Sequence, residues 1–241
     1  MKTLIQRLFL VAAAASMLAG AAAQAAVQLS STRVIMTSEQ QHVSIFAKNL
    51  SGAPYVVQAW IDGPAEEMDT PFFITPPLSR FDSGVERRLS IARVGEGLPG
   101  DRESYYWINV LEIPQKKDQA ENVLSLAMHT RIKLFYRPVA IQKLPRGAEL
   151  LKWSLAREGN ACQLVAQNSS AFLVNFARIE FPGEAKEFGR GAIAVPLGAS
   201  RIPLSKCPAA ASSQVLPHVV NDYGVIEAWP AAAVGPEAPA R

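Results

Sequence analysis

The sequence predicts an all-β chain built from two immunoglobulin-like sandwiches, and three observations lead there. The run 124–137, LSLAMHTRIKLFYR, alternates in period two. Leu124, Leu126, Met128, Thr130, Ile132, Leu134 and Tyr136 fall on one face, and His129 with the cations Arg131, Lys133 and Arg137 falls on the other. A helix has no such period, so this is a long strand. Secondly, short strand-like runs bounded by Gly, Pro, Asn and Asp recur about seven times in about 110 residues, with almost no helical periodicity. Thirdly, the pattern stops at 139–147, which holds Pro145 and Gly147, and then resumes.

In chain order, 27–36 alternates and reads as the first strand, and 42–49 as the second. Ser51-Gly52-Ala53-Pro54 is a turn, 55–61 a strongly apolar strand, and Asp62-Gly63-Pro64 ends it. Residues 72–75 precede Pro76-Pro77, 79–81 is short, and 86–93 alternates after the Asp82-Ser83-Gly84 turn. Residues 105–113 form a strand ended by Pro114, and the polar connection 115–122 leads to the long strand. Beyond the linker, 149–156, 163–168, 173–181, 192–195, 201–203 and 219–229 read as strands of a second domain. The domains are therefore 26–138 and 148–230, joined by 139–147. Residues 231–241 are Ala, Pro and Gly without pattern and are expected to be a disordered tail.

The first 25 residues read as a secretory leader. Lys2 and Arg7 precede an uncharged Ala-rich run over 8–23, and Ala23-Gln24-Ala25 fits the small-x-small rule for signal peptidase. Cleavage there makes Ala26 the first mature residue and lowers the net charge from +3 to +1. The apolar run is too short and too weakly hydrophobic for a membrane anchor. With no clustered Lys and Arg, nothing points to nucleic acid. Hydrophobic residues make up 49% of the chain, enough for a sizeable core. After export, Cys162 and Cys207 meet an oxidising compartment, where a bridge within the second domain is expected. The three histidines, His42, His129 and His218, are widely spaced from the cysteines and form no zinc pattern.

Four segments carry a family resemblance. They are Val27-Gln28-Leu29-Ser30-Ser31-Thr32-Arg33-Val34-Ile35; Leu98-Pro99-Gly100-Asp101-Arg102-Glu103-Ser104 with Tyr106-Trp107-Ile108-Asn109-Val110 and Ile113-Pro114; Arg131-Ile132-Lys133-Leu134-Phe135-Tyr136-Arg137-Pro138; and Asn221-Asp222-Tyr223-Gly224. In this order, behind a leader, they resemble the PapD-like periplasmic chaperones of the chaperone–usher pathway over nearly the whole mature chain. Gln115 departs from the pattern, where members carry a second Pro or a small residue.

The resemblance implies two sandwiches in an L or boomerang shape. It also implies a non-enzymatic, periplasmic protein without a cofactor. Such a protein lends a strand to pilus or fimbrial subunits whose immunoglobulin fold is incomplete, then passes them to an outer-membrane usher. Leu124, Leu126 and Met128 match the donor residues, while Ile132, Leu134 and Tyr136 read as core of their own domain. Arg33 and Lys133 match the pair that holds the subunit's C-terminal carboxylate, a role suited to a guanidinium fork and a compact ammonium. Glu103, Arg137 and Asp222 match an inter-domain ion network. The short 115–122 connection resembles the class associated with rod-like pili. Lys133 is odd-numbered and the donor residues even, so twist or a bulge reconciles them, or Lys133 uses the other face of the edge. An open edge also invites self-capping by a second copy.

Two other readings compete. A two-domain adhesin or fimbrial subunit would place aromatic residues at loop tips or begin with a donor extension. Here Trp60, Trp107, Trp153 and Trp229 lie in strand patterns, and the mature chain enters a strand almost at once. A hydrolase would need a nucleophile elbow or clustered histidines, and neither is present. No phosphate-binding glycine loop with its lysine occurs.

Overall fold

The computed structural model describes residues 26–115, 126–158, 161–182, 187–205, 207 and 214–236. The leader, Leu124 and most of the 115–122 connection lie outside the described residues.

In the first half the strands are β1 (Val27–Leu29), β2 (Arg33–Thr37), β3 (His42–Asn49), β4 (Tyr55–Asp62), β5 (Phe72–Thr75), β6 (Leu78–Phe81), β7 (Glu86–Arg93), β8 (Ser104–Pro114) and β9 (Met128–Arg137). They form two sheets, β1-β3-β7-β5 and β2-β9-β8-β4-β6. Alternating apolar residues face inward from both, and Met36, Ile45, Leu89, Ile91, Ile108 and Leu134 are fully buried between them.

The single strand expected over 27–36 is in fact two. β1 pairs with β3 in one sheet and β2 with β9 in the other, and Ser30-Ser31-Thr32 carries the chain across. Alternation cannot report that change, because both halves keep an apolar residue facing the same core. The long strand starts, among the described residues, at Met128. Leu126 lies two residues before it, outside any strand.

Two short 3-10 turns, Val139–Ile141 and Ala148–Leu150, bracket the linker. The second half contains β10 (Leu151–Glu158), β11 (Ala161–Asn168), β12 (Val174–Glu180), β13 (Glu187–Phe188), β14 (Ile193–Ala194), β15 (Gly198–Leu204), β16 (Gln214–Val220), β17 (Ile226–Ala228) and β18 (Ala232–Pro236). Its core holds Trp153, Leu164, Phe176, Ile179 and Phe181. Cys162 on β11 and Cys207 are bonded, with Cα atoms 5.3 Å apart.

Two expectations are corrected here. The strand read over 219–229 is a hairpin, β16–β17, turned by Asn221–Val225. The tail expected to be disordered supplies β18, parallel to β10 and antiparallel to β16, and so joins these strands in one hydrogen-bonded order, β13-β12-β16-β18-β10-β11-β15. Its Ala-rich sequence has weak strand preference, but the free edges on either side supply its hydrogen bonds.

Candidate functional site

The site is built on β9. Over Lys133–Tyr136 the strand lies between β2 and β8, but over Met128–Ile132 only β8 pairs with it among the described residues. Those residues keep an open edge. Ile132, Leu134 and Tyr136 point into the first core. By the same period Met128 shares their face, yet it is 46% exposed, and Leu126 is 63% exposed. The apolar stripe therefore runs out of the sandwich into solvent.

Lys133 occupies the other face of the strand, which resolves the parity question without a bulge in β9. Its Cα pairs with that of Arg33 where β2 begins, so two cations stand side by side on parallel strands. Lys133 Nζ donates to Asn175 Oδ1 of β12 at 2.8 Å and lies 5.1 Å from the Trp107 ring centre. Arg33 Nη1 donates to the Val220 carbonyl at 3.2 Å, its guanidinium lies over Phe135, and its buried Nε has no partner. Burial, reinforced by the Arg33 charge, brings the Lys133 ammonium down to about 8. Burial also lowers Arg33, against the pull of Asp222. Among the described residues neither cation has a carboxylate within ion-pair distance. The pair is thus a partly desolvated double charge between the domains, with no carboxylate in direct contact among the described residues and only the more distant Asp222 and Glu103 acting on Arg33.

Beside it, Arg137 joins the two halves. Its Nε bonds Glu103 Oε1 at 2.8 Å, and its two Nη atoms bind both oxygens of Asp222 at 2.8 and 3.0 Å. Arg146, which sequence reasoning did not single out, also bonds Asp222. Glu103 is 2% exposed and accepts from the Leu173 amide at 3.0 Å. Burial raises the Glu103 carboxyl despite Arg137. Burial pushes Asp222 the same way, but the hydrogen bonds and charges of Arg137 and Arg146 prevail and hold it low. Asp222 is presented by the Asn221 turn, where Asn221 Oδ1 accepts from the Tyr223 and Val225 amides. Gly224 has φ +84°, and a Cβ there would overlap the Thr32 hydroxyl of the first domain. The glycine lets the turn approach closely. Ile141, Ala171 and Phe172 form a small apolar core at the same junction.

Asn175 and Arg146 complete these clusters. A polar residue in the apolar run Leu173-Val174-Asn175-Phe176 was a visible signal for the first; a linker arginine gave none for the second. Among the described residues no group of acidic, His and Cys side chains is placed to hold a metal, and no helix is long and apolar enough to cross a membrane.

Comparison with known proteins agrees along the chain. Residues 26–142 match the pili and flagellar-assembly chaperone family, PapD N-terminal domain, and 147–229 match the pili assembly chaperone PapD, C-terminal domain. The chain is 38% identical over 203 residues to the probable fimbrial chaperone LpfB of Escherichia coli O157:H7, covering 82% of this chain and 84% of that one. It is also 38% identical over 188 residues to the chaperone protein FimB/FhaD of Bordetella pertussis (strain Tohama I), covering 73% and 76%. The crystal structure of the YadV chaperone superposes with a TM-score of 0.71 at 30% identity, covering 87% of this chain and all of that one. The chain has two immunoglobulin-like domains and belongs to the PapD-like family of non-enzymatic pilus-assembly chaperones of the chaperone–usher pathway.

Proposed function

We propose that this chaperone acts in the periplasm, after removal of residues 1–25, by lending β9 to a fimbrial subunit whose immunoglobulin fold lacks a strand. The open edge at Met128–Ile132, ending at a pair of cations with no carboxylate in direct contact among the described residues, is the observation that carries this reading. β2 runs parallel to β9 and begins at Arg33. A subunit strand that pairs with Met128–Ile132 occupies the same lane just ahead of β2. If it runs parallel to β9, its C-terminal carboxylate meets Arg33 and Lys133. If it ran antiparallel, an amino-terminal end would meet two cations. Electrostatics therefore favours the parallel arrangement and the chain terminus as the register mark.

Leu124, Leu126 and Met128 then enter the groove of the subunit. Full burial of one such side chain contributes about 1.5–3 kcal/mol. Glu103, Arg137 and Asp222, with Arg146, fix the angle between domains so that Asn175 and Lys133 stay in register. The loaded complex is handed to an outer-membrane usher, and without a subunit the same edge is capped by a second copy.

The test is periplasmic co-expression with neighbouring pilin-like subunits, comparing wild type with folded Arg33→Ala and Lys133→Ala. A stoichiometric complex lost in both variants supports the reading. Capture that survives both removes the anchor. No capture of several subunits by folded wild type undermines strand donation and favours an adhesin.

A further inference from the structure

The inward row of β8 is Ile108, Val110 and then Glu112. A strand row that faces a core calls for a third apolar residue, and Glu112 breaks the pattern while being 1% exposed. Its backbone has no freedom to turn the side chain outward, because it pairs with Val57 of β4 on one side and Met128 of β9 on the other. Among the described residues no Lys, Arg or His forms an ion pair with it, and its Oε1 has no hydrogen-bond partner. A buried carboxylate without a cation is costly, and a protein keeps one where something compensates it.

What faces Glu112 is the start of the mature chain. The Val27 amide donates to Oε2 at 3.1 Å, and the dipole of the neighbouring Ala26 amide also favours the charged carboxylate. Ala26 is held in place, since its carbonyl accepts from the Leu50 amide at 2.7 Å and Val27 is buried in the core opposite Asn49. Hydrolysis of the Ala25–Ala26 bond adds water across it. Ala25 leaves as a carboxylate, and the Ala26 nitrogen becomes an α-ammonium with three donors. That nitrogen lies one residue before the Val27 amide that bonds Glu112.

We infer that Glu112 is a binding site for the chain's own processed N-terminus, so that leader removal completes the first domain by forming a buried ion pair. The inference rests on the proposed leader boundary after Ala25. The precursor has an amide where the mature chain has a cation, so its first domain is the less stable form. The released ammonium also supplies a donor for Oε1, and it consolidates β8 where the strand pairs with the donor residue Met128.

The experiment is a double-mutant cycle on exported protein. One change inserts a glycine between Ala25 and Ala26, which keeps the cleavage site and displaces the ammonium by one residue. The other is Glu112→Gln, which keeps the shape and an acceptor but removes the charge. Intact mass defines the first residue, and urea unfolding gives the equilibrium constants. Insertion is expected to lower the folding constant about tenfold or more with Glu112 present, and by less than about twofold with Glu112→Gln. An equal effect in both backgrounds, or none, with Ala26 as the proven terminus, overturns the pairing alone. A mature terminus other than Ala26 overturns the leader boundary and the pairing together. Should Glu112→Gln not fold, selective acetylation of the α-amine of native protein replaces it. A tenfold loss of stability supports the pairing, and no loss overturns it.

Discussion

If Lys133 holds the subunit's carboxylate as proposed, capture depends on pH in a way that follows from the structure. Burial and the neighbouring Arg33 bring it to about 8 in the free chaperone. A subunit carboxylate placed against it favours the charged form and raises that value in the complex, so binding takes up a proton above pH 8. Below that point the lysine is charged in both states and affinity is flat. Above it, affinity follows the charged fraction of the free form, which is about 91% at pH 7 and about 9% at pH 9, an approximately tenfold loss. The loss continues until the pH reaches the raised value of the complex. Arg33 stays charged throughout, since a guanidinium does not deprotonate in this range. The assay is calorimetric titration with a C-terminal peptide of a fimbrial subunit and with the same peptide amidated. The free-acid peptide should show the loss, while the amidated peptide and the Lys133→Met variant should bind weakly and without pH dependence. Flat affinity from pH 7 to 9.5, or the same slope in Lys133→Met, would refute the assignment.

Three other outcomes follow from the same geometry. Arg137→Ala leaves Glu103 buried without its bonded cation, because Arg146 bonds Asp222 and reaches Glu103 only through its charge; urea unfolding should show a loss of about 3 kcal/mol or more. Replacing both cysteines with serine opens a loop of sequence separation 45, and chain entropy sets the destabilisation at about 4 kcal/mol, read from the same unfolding curves. Leu126→Asp and Met128→Asp alter exposed side chains, so thermal unfolding of the free protein should move little while the yield of co-purified subunit collapses.

Much of this architecture was legible because half-buried strands announce themselves in period two. The runs 42–49, 72–75 and 86–93 coincide with β3, β5 and β7. Partner choice was not legible. Residues 27–36 keep their alternation while crossing between sheets, so one run concealed two strands. The Ala-rich end became β18 because open edges of β10 and β16 flank it, a tertiary effect that overrides weak local preference. In the cleft, numbering alone put Lys133 and the apolar stripe on opposite faces. Only the approach of Asn175 and Trp107 shows what Lys133 meets there. Arg146 was invisible because its role exists only once the linker brings it against Asp222. Glu112 was visible as an acid in an apolar row, but its neighbours, β1 and Ala26, are 85 residues away in sequence.

Strand donation by β9 is tested most directly by amide hydrogen exchange on the free chaperone and on a purified chaperone–subunit complex. The account predicts that amides of Met128–Ile132 not already paired with β8 slow by about a hundredfold or more in the complex, as they gain a strand partner. Lys133–Tyr136, already flanked on both sides, should change little. A stoichiometric complex in which Met128–Ile132 exchanges as fast as in the free protein would contradict it.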